Sequence, residues 1–243
     1  MGRRHVLVAL CWCLVLGAGC QGITTDQPTV TPAEVPSANG TATTDVDELI
    51  EQHRAELRNQ SHTTTVTLTV EYPNGTTARR TDAFAVGPEG GYLYERRTVG
   101  PYPETVENLS VWQNQTHEVR RENGTITVQR SSGVSDTSLS QFLQRVLGVF
   151  ELDAESADGG YRLTGSAERA QSIPLPTVLL DHRNATVELT VRGDVLRTAT
   201  VDLQADRYES GETVDIEIAV TVENVGATQP TRPDWVEDAT GDG

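Results

Sequence analysis

The chain contains no lysine: all 19 of its basic residues are arginine. That absence excludes a Walker A phosphate loop and any mechanism that runs through a Schiff-base lysine, because both need a primary amine at a fixed place. No Gly-x-Ser-x-Gly elbow occurs either, so no motif places an activated serine. Cysteine is scarce, with Cys11, Cys13 and Cys20 at the N-terminal end and none after them. Positive charge is scarce as well: 35 Asp and Glu stand against 19 Arg, a net charge of −16. Such an excess disfavours nucleic acid and anionic membrane surfaces as partners, and self-repulsion favours a soluble monomer. The apolar stretch from Val6 to Gly19 is shorter than the about 20 residues that a bilayer-spanning helix needs, which argues against a retained transmembrane anchor.

What the N-terminus does contain is an address. Arg3-Arg4 is followed by His5, Val6 and Leu7, then by an apolar run to Leu16 and by Gly17-Ala18-Gly19-Cys20. A charged start, a short apolar core and small residues before a cleavage point describe an export signal. The twin arginine looks like the Tat type, and the small residues ending in cysteine resemble a lipobox, with Gly17 where leucine is usual. The resemblance implies that residues 1–19 are removed and that Cys20 becomes the lipidated first residue. Cys11 and Cys13 then leave with the signal, and no disulfide framework remains. Loss of Arg3 and Arg4 makes the mature chain more acidic still. The expected partner is the cell membrane, held through the lipid on Cys20, with the domain on the extracellular face. High acid content, abundant threonine and no lysine behind such a signal resemble exported lipoproteins of halophilic archaea, where molar salt shortens the screening length to about 3 Å.

Residues 20–44 read as a lipidated cysteine followed by a disordered tether rich in Thr and Pro, with too little apolar surface to offset the entropy of ordering it. Seven Asn-x-Ser/Thr sequons are glycosylation candidates: Asn39, Asn59, Asn74, Asn108, Asn114, Asn123 and Asn184. Asn74-Gly75 and Asn123-Gly124 fall at expected turns.

The folded domain is expected over residues 45–236, with an acidic flexible tail at 237–243. Val46, Leu49, Ile50, His53 and Leu57 recur at helical spacing, with Thr44 and Asp47 as an N-cap pair. The period then switches to 2: Val66, Leu68 and Val70 alternate with threonines. Further strands are expected at 78–86, 91–99, 108–113 and 116–122, with a return strand through Ile126 and Val128 after the Asn123-Gly124 hairpin signal. A second helix carries Leu139, Phe142, Leu143, Val146, Leu147 and Phe150 on one face, opened by a Ser138–Gln141 capping box. A hairpin is expected around Asp158-Gly159-Gly160. Residues 173–180, an apolar run broken by Pro174 and Pro176, read as a short irregular helix or lid. Strands at 186–192, 195–205 and 212–223 close the domain.

Nearly every strand has one apolar and one Thr- or acid-rich face, the pattern of a sheet covered on one side and wet on the other. The fold class is therefore α+β: a curved antiparallel sheet with an N-terminal and a central helix on its apolar face. The order of elements resembles the LolA / LppX-type lipoprotein half-barrel. That resemblance implies a concavity that holds helices and often a lipid or acyl chain. No cofactor is implied.

Motifs for chemistry are sparse. His117-Glu118-Val119-Arg120-Arg121 begins like a metalloprotease helix but has Arg where the second His belongs, and it lies in an expected strand. His53 and His62 flank the first helix and read as a helix-face and a turn residue. Asp181-His182 and Asp153, Glu155, Asp158 read as loop caps and a solvated turn. Tyr92, Tyr94 and Trp112 are candidate lining of a ligand cavity, although strand preference alone also accounts for them; Leu179 and Leu180 are candidates for its mouth. Trp235 is expected to pin the C-terminal segment against the sheet. Two function classes follow. One is a non-enzymatic surface lipoprotein that binds or carries an apolar ligand. The other is a surface interaction or envelope-sensing module with a packed core and no cavity.

Overall fold

The computed structural model describes residues 43–44, 46–88, 91–102, 108–131, 137–157 and 159–240. Arg3, Arg4, Cys20 and Asn39 lie outside the described residues, as does Asp158. Helix α1 (Val46–Leu57) opens the domain, preceded by a short strand β1 (Thr43–Thr44). The apolar spacing in its sequence buries Leu49, Ile50, His53 and Leu57 on one face. An antiparallel meander follows: β2 (His62–Glu71), β3 (Thr77–Val86), β4 (Tyr92–Val99), β5 (Leu109–Gln113), β6 (His117–Glu122) and β7 (Thr125–Arg130). Asn123 and Gly124 adopt φ of 49° and 85°. That is the left-handed geometry of a two-residue hairpin turn, and it explains why Asn-Gly connects β6 to β7.

Helix α2 (Thr137–Leu147) separates this meander from a second one: β8 (Leu152–Ala157), β9 (Gly160–Arg169), β10 (Leu179–Arg192), β11 (Val195–Arg207) and β12 (Thr213–Glu223). The two meanders form one curved, unclosed antiparallel sheet of 12 strands, ordered β1-β8-β9-β10-β11-β12-β2-β3-β4-β5-β6-β7. They join at β12 and β2, where Ile216 faces Val70, Ile218 faces Leu68 and Val220 faces Val66. Cross-strand partners share a face, so these pairs continue one aliphatic layer from β10 (Val187, Leu189, Val191) through β11 (Ala199, Val201, Leu203) into β2. Leu49 and Ile50 of α1 and Leu143, Val146 and Leu147 of α2 close over it. Gln144 Nε2 donates to Asp47 Oδ1 at 3.0 Å and links the two helices. The α+β half-barrel with an N-terminal and a central helix on its apolar face is thus the observed architecture.

Three features depart from the sequence expectation. The segment expected as a helix or lid ends in strand: Leu179 and Leu180 begin β10, seven residues before the expected start at Thr186. Asp181 and Asn184 take φ of 51° and 53°, and the β10–β11 register shifts around them. These bulges break the alternation that marks a strand in sequence. Helix α3 (Asp234–Thr240) runs into the stretch expected as an acidic tail. Finally, the face opposite the helices is not uniformly wet. Thr63, Ala85, Leu93, Trp112, Val119 and Val128 are successive partners across β2 to β7 on that face, and the C-terminal segment runs over this row. Thr228 Oγ1 lies 3.1 Å from Thr63 Oγ1, the Arg232 guanidinium sits over the Trp112 ring at 5.6 Å, and Val119 and Val236 are fully buried. The Arg121 guanidinium covers the Trp235 ring at 4.9 Å.

Candidate functional site

The helices fill the inner face unevenly. Over β8 to β12 and β2 it is packed with Leu, Ile and Val, whereas over β3 and β4 it stays partly open. There a cleft of 320 Å³ is lined by Val66, Arg80, Asp82, Phe84, Tyr92, Tyr94, Arg96 and, from α2, Phe142. Strand pairing puts these side chains together. Asp82 faces Val66 on one side and Arg96 on the other, Phe84 faces Tyr94, and Val86 faces Tyr92. Phe84 stacks with its ring centroid 4.8 Å from that of Tyr94 and 6.4 Å from that of Tyr92, within the range where aromatic pairs attract.

Asp82 organises the polar part of the cleft. Its carboxylate is buried, with a side-chain exposure of 7%, and it accepts from three donors: Arg80 Nε at 2.9 Å, Arg96 Nε at 2.7 Å and Tyr94 OH at 2.5 Å. A buried carboxylate is tolerable only when paired and hydrogen-bonded in this way. Burial and the bond to Asp82 raise the Tyr94 phenol well above its ordinary pKa, so it remains a neutral donor. Burial works against the Arg96 charge, but the Asp82 carboxylate outweighs it and raises the guanidinium. Arg80 also lies 5.9 Å from the centre of the Tyr102 ring, and Arg96 lies 5.7 Å from that of Tyr94.

The expected lining residues separate into two groups. Tyr92 and Tyr94 meet in the cleft. Trp112 lies on the opposite face, because its neighbour Val111 pairs with Tyr94 and therefore takes the inward position. Leu179 is buried in the aliphatic core and Leu180 is 42% exposed at the start of β10; neither lines the cleft. Arg80, Asp82, Arg96 and Phe142 form the rest of the site. Its signal in the sequence is a pair of period-2 strings, Arg80-x-Asp82-x-Phe84 and Tyr92-x-Tyr94-x-Arg96, which put all six side chains on one face once β3 and β4 pair.

Other candidates are dispersed. His117 is exposed in β6 beside Thr116, and His182 Nε2 lies 2.9 Å from the Leu179 carbonyl. Among the described residues no three His, Cys, Asp or Glu side chains gather as a metal site. No described helix is long and apolar enough to cross a membrane. Of the sequons, Asn59, Asn74, Asn108, Asn123 and Asn184 are exposed and Asn114 is half-buried. A larger groove of 550 Å³ on the opposite face is lined by Glu71, Asp202, Asp215 and Glu217 among others. It is open and acidic, with no aromatic floor.

No family model and no curated protein matches the chain. Solved structures that are similar to the chain include LprF from Mycobacterium bovis, 14% identical over 80% of this chain and 98% of that one, with a TM-score of 0.36. A LolA superfamily protein, NE2245 from Nitrosomonas europaea, is 10% identical over 80% and 97% of the two chains, TM-score 0.27. A DUF1329 family protein from Desulfovibrio piger is 12% identical over 81% and 96%, TM-score 0.27.

Proposed function

We propose that this chain is a lipid-anchored, non-enzymatic protein of the outer cell surface that binds a ligand with an apolar part, such as a lipid. The binding site is the cleft over β3 and β4. The observation that carries this reading is the inward-facing aromatic patch of Phe84, Tyr92 and Tyr94, which α2 reaches, among the described residues, with Phe142. Its 320 Å³ stands at the small end of the roughly 300–1,000 Å³ range of ligand sites, so it receives a small amphiphile or one end of a larger lipid. The anchor rests on the sequence: Cys20 behind a short apolar signal, and Arg3-Arg4 for export. The exposed sequons supply glycosylation sites on such a surface protein, and the acidic, lysine-free composition suits a high-salt setting.

Native mass spectrometry of the protein extracted from its own membrane tests the binding. A reproducible added mass that is lost in Phe84→Ala supports it; a bare polypeptide mass in every preparation removes it. For the anchor, Cys20→Ser is expected to release the folded domain to the medium or leave it unprocessed, since stable anchoring needs a lipid with more than one chain. Unchanged membrane retention at an unchanged N-terminal mass is the contrary result. One observation favours the interaction module instead. The aliphatic layer from β10 to β2 is closed by α1 and α2, so that half of the barrel offers no container.

A further inference from the structure

The aromatic cleft carries charge as well as apolar surface, and the balance of that charge is unusual for this chain. Two guanidiniums, Arg80 and Arg96, meet a single carboxylate, Asp82. Each arginine uses its Nε on Asp82, which leaves the terminal nitrogens of both forks as further donors. The cross-strand neighbours of Arg80 on the inner face are Leu68 and Thr98, and the second neighbour of Arg96 is Leu109. Among the described residues, then, the cleft has an excess of one positive charge. A chain with 35 acidic residues has ample means to neutralise it. An uncompensated charge in a half-buried site is costly, and one arginine suffices to satisfy Asp82.

We infer that the cleft is built for amphiphiles carrying one negative charge, with a carboxylate-type headgroup against Arg80 and Arg96 and the apolar part over Phe84, Tyr92 and Phe142. The inference rests on the ligand reading above and adds the headgroup chemistry. Planar guanidiniums suit it, since they bind carboxylate and phosphate oxygens through paired donors. Tyr94, held protonated, keeps its hydroxyl on Asp82 and does not compete for the incoming anion.

Titration calorimetry of the full chain at one fixed salt concentration, with octanoate, 1-octanol and acetate as probes, tests this. Octanoate is expected to bind roughly tenfold more tightly than octanol, as one charge-assisted contact supplies, and acetate is expected not to saturate. Arg96→Gln and Arg80→Gln should each reduce octanoate to the octanol affinity, while Arg96→Lys retains part of the preference. Thermal melts identify any variant that fails to fold, and in that case the wild-type ratio and the remaining variant decide. Equal affinity for octanoate and octanol overturns the headgroup inference and leaves the ligand reading standing. No binding of either overturns the ligand reading itself. Acetate binding as tightly as octanoate makes the cleft a small-anion site and overturns the amphiphile.

Discussion

At the scale of single residues, two buried polar groups set the behaviour of the domain. Asp82 holds β3 and β4 together through three donors. Asp82→Asn removes the charge and leaves Arg80 and Arg96 facing each other; because both arginines are partly exposed, the expected loss is about 2 kcal/mol, below the 3–5 of a fully buried pair. Chemical denaturation checks it, and a loss below about 0.5 kcal/mol would make the cluster ornamental. His53 is the second. It lies on the buried face of α1 with no partner for Nδ1 among the described residues. Burial, reinforced by His62 and Arg197, pushes its pKa down to about 4. The unfolded chain protonates this ring near pH 6.5 and the folded chain does not, so the stability it confers is complete above pH 6.5 and declines as pH falls towards 4. The full span is about 3 kcal/mol. His53→Leu should lose that slope, so the stability difference between variant and wild type shifts by this amount between pH 7 and pH 4. A difference that stays constant with pH contradicts the assignment. The helical spacing in the sequence placed His53 on the α1 face. Its neutrality was not readable, because that depends first on how completely the fold buries the ring and then on His62 and Arg197 arriving from β2 and β11.

At the scale of elements, strands and helices were readable wherever one physical period ran unbroken. The spacing of Leu49, Ile50, His53 and Leu57 locates α1, and the alternation from Val214 to Val222 locates β12 with its buried face. The start of β10 was hidden by Pro174, Pro176 and the two left-handed residues, which interrupt period 2 while the chain still pairs. The inward strings of β3 and β4 were present in the sequence, but only their pairing turns Arg80, Asp82 and Arg96 into one cluster. Trp112 misled for a related reason: an aromatic in a strand has two faces to choose from, and the choice depends on the register with β4 and on a C-terminal segment more than 100 residues away. Gly160 illustrates how closely strands approach here. A Cβ on it would stand 1.9 Å from the Val191 carbonyl oxygen, at the hairpin that sets β8 and β9 against β10. Gly160→Ala is expected to cost about 1–3 kcal/mol and to loosen amide-exchange protection across β8 and β9 first. Unchanged protection there would mean that the strands can separate without cost.

At the scale of the whole molecule, a net charge of −16 sets the response to salt. Raising the ionic strength from 0.1 M to 1 M shortens the screening length from about 10 Å to about 3 Å, so the melting temperature should climb over that range. A flat or falling curve in scanning calorimetry would show that the acids are arranged to avoid one another. The junction of the two meanders has a consequence of another kind, in time. β12 is the last strand of the sheet to be made, yet it lies in the middle of it, between β11 and β2. Until Thr213–Glu223 has emerged from the ribosome, the nascent chain carries two bare strand edges, each with a row of unpaired amides and carbonyls open to other chains. Assembly of this sheet therefore waits for β12. A chain truncated before β12 is left as two half-sheets that no strand joins, and a quality check that accepts only the finished sheet is in effect verifying that translation has passed β12.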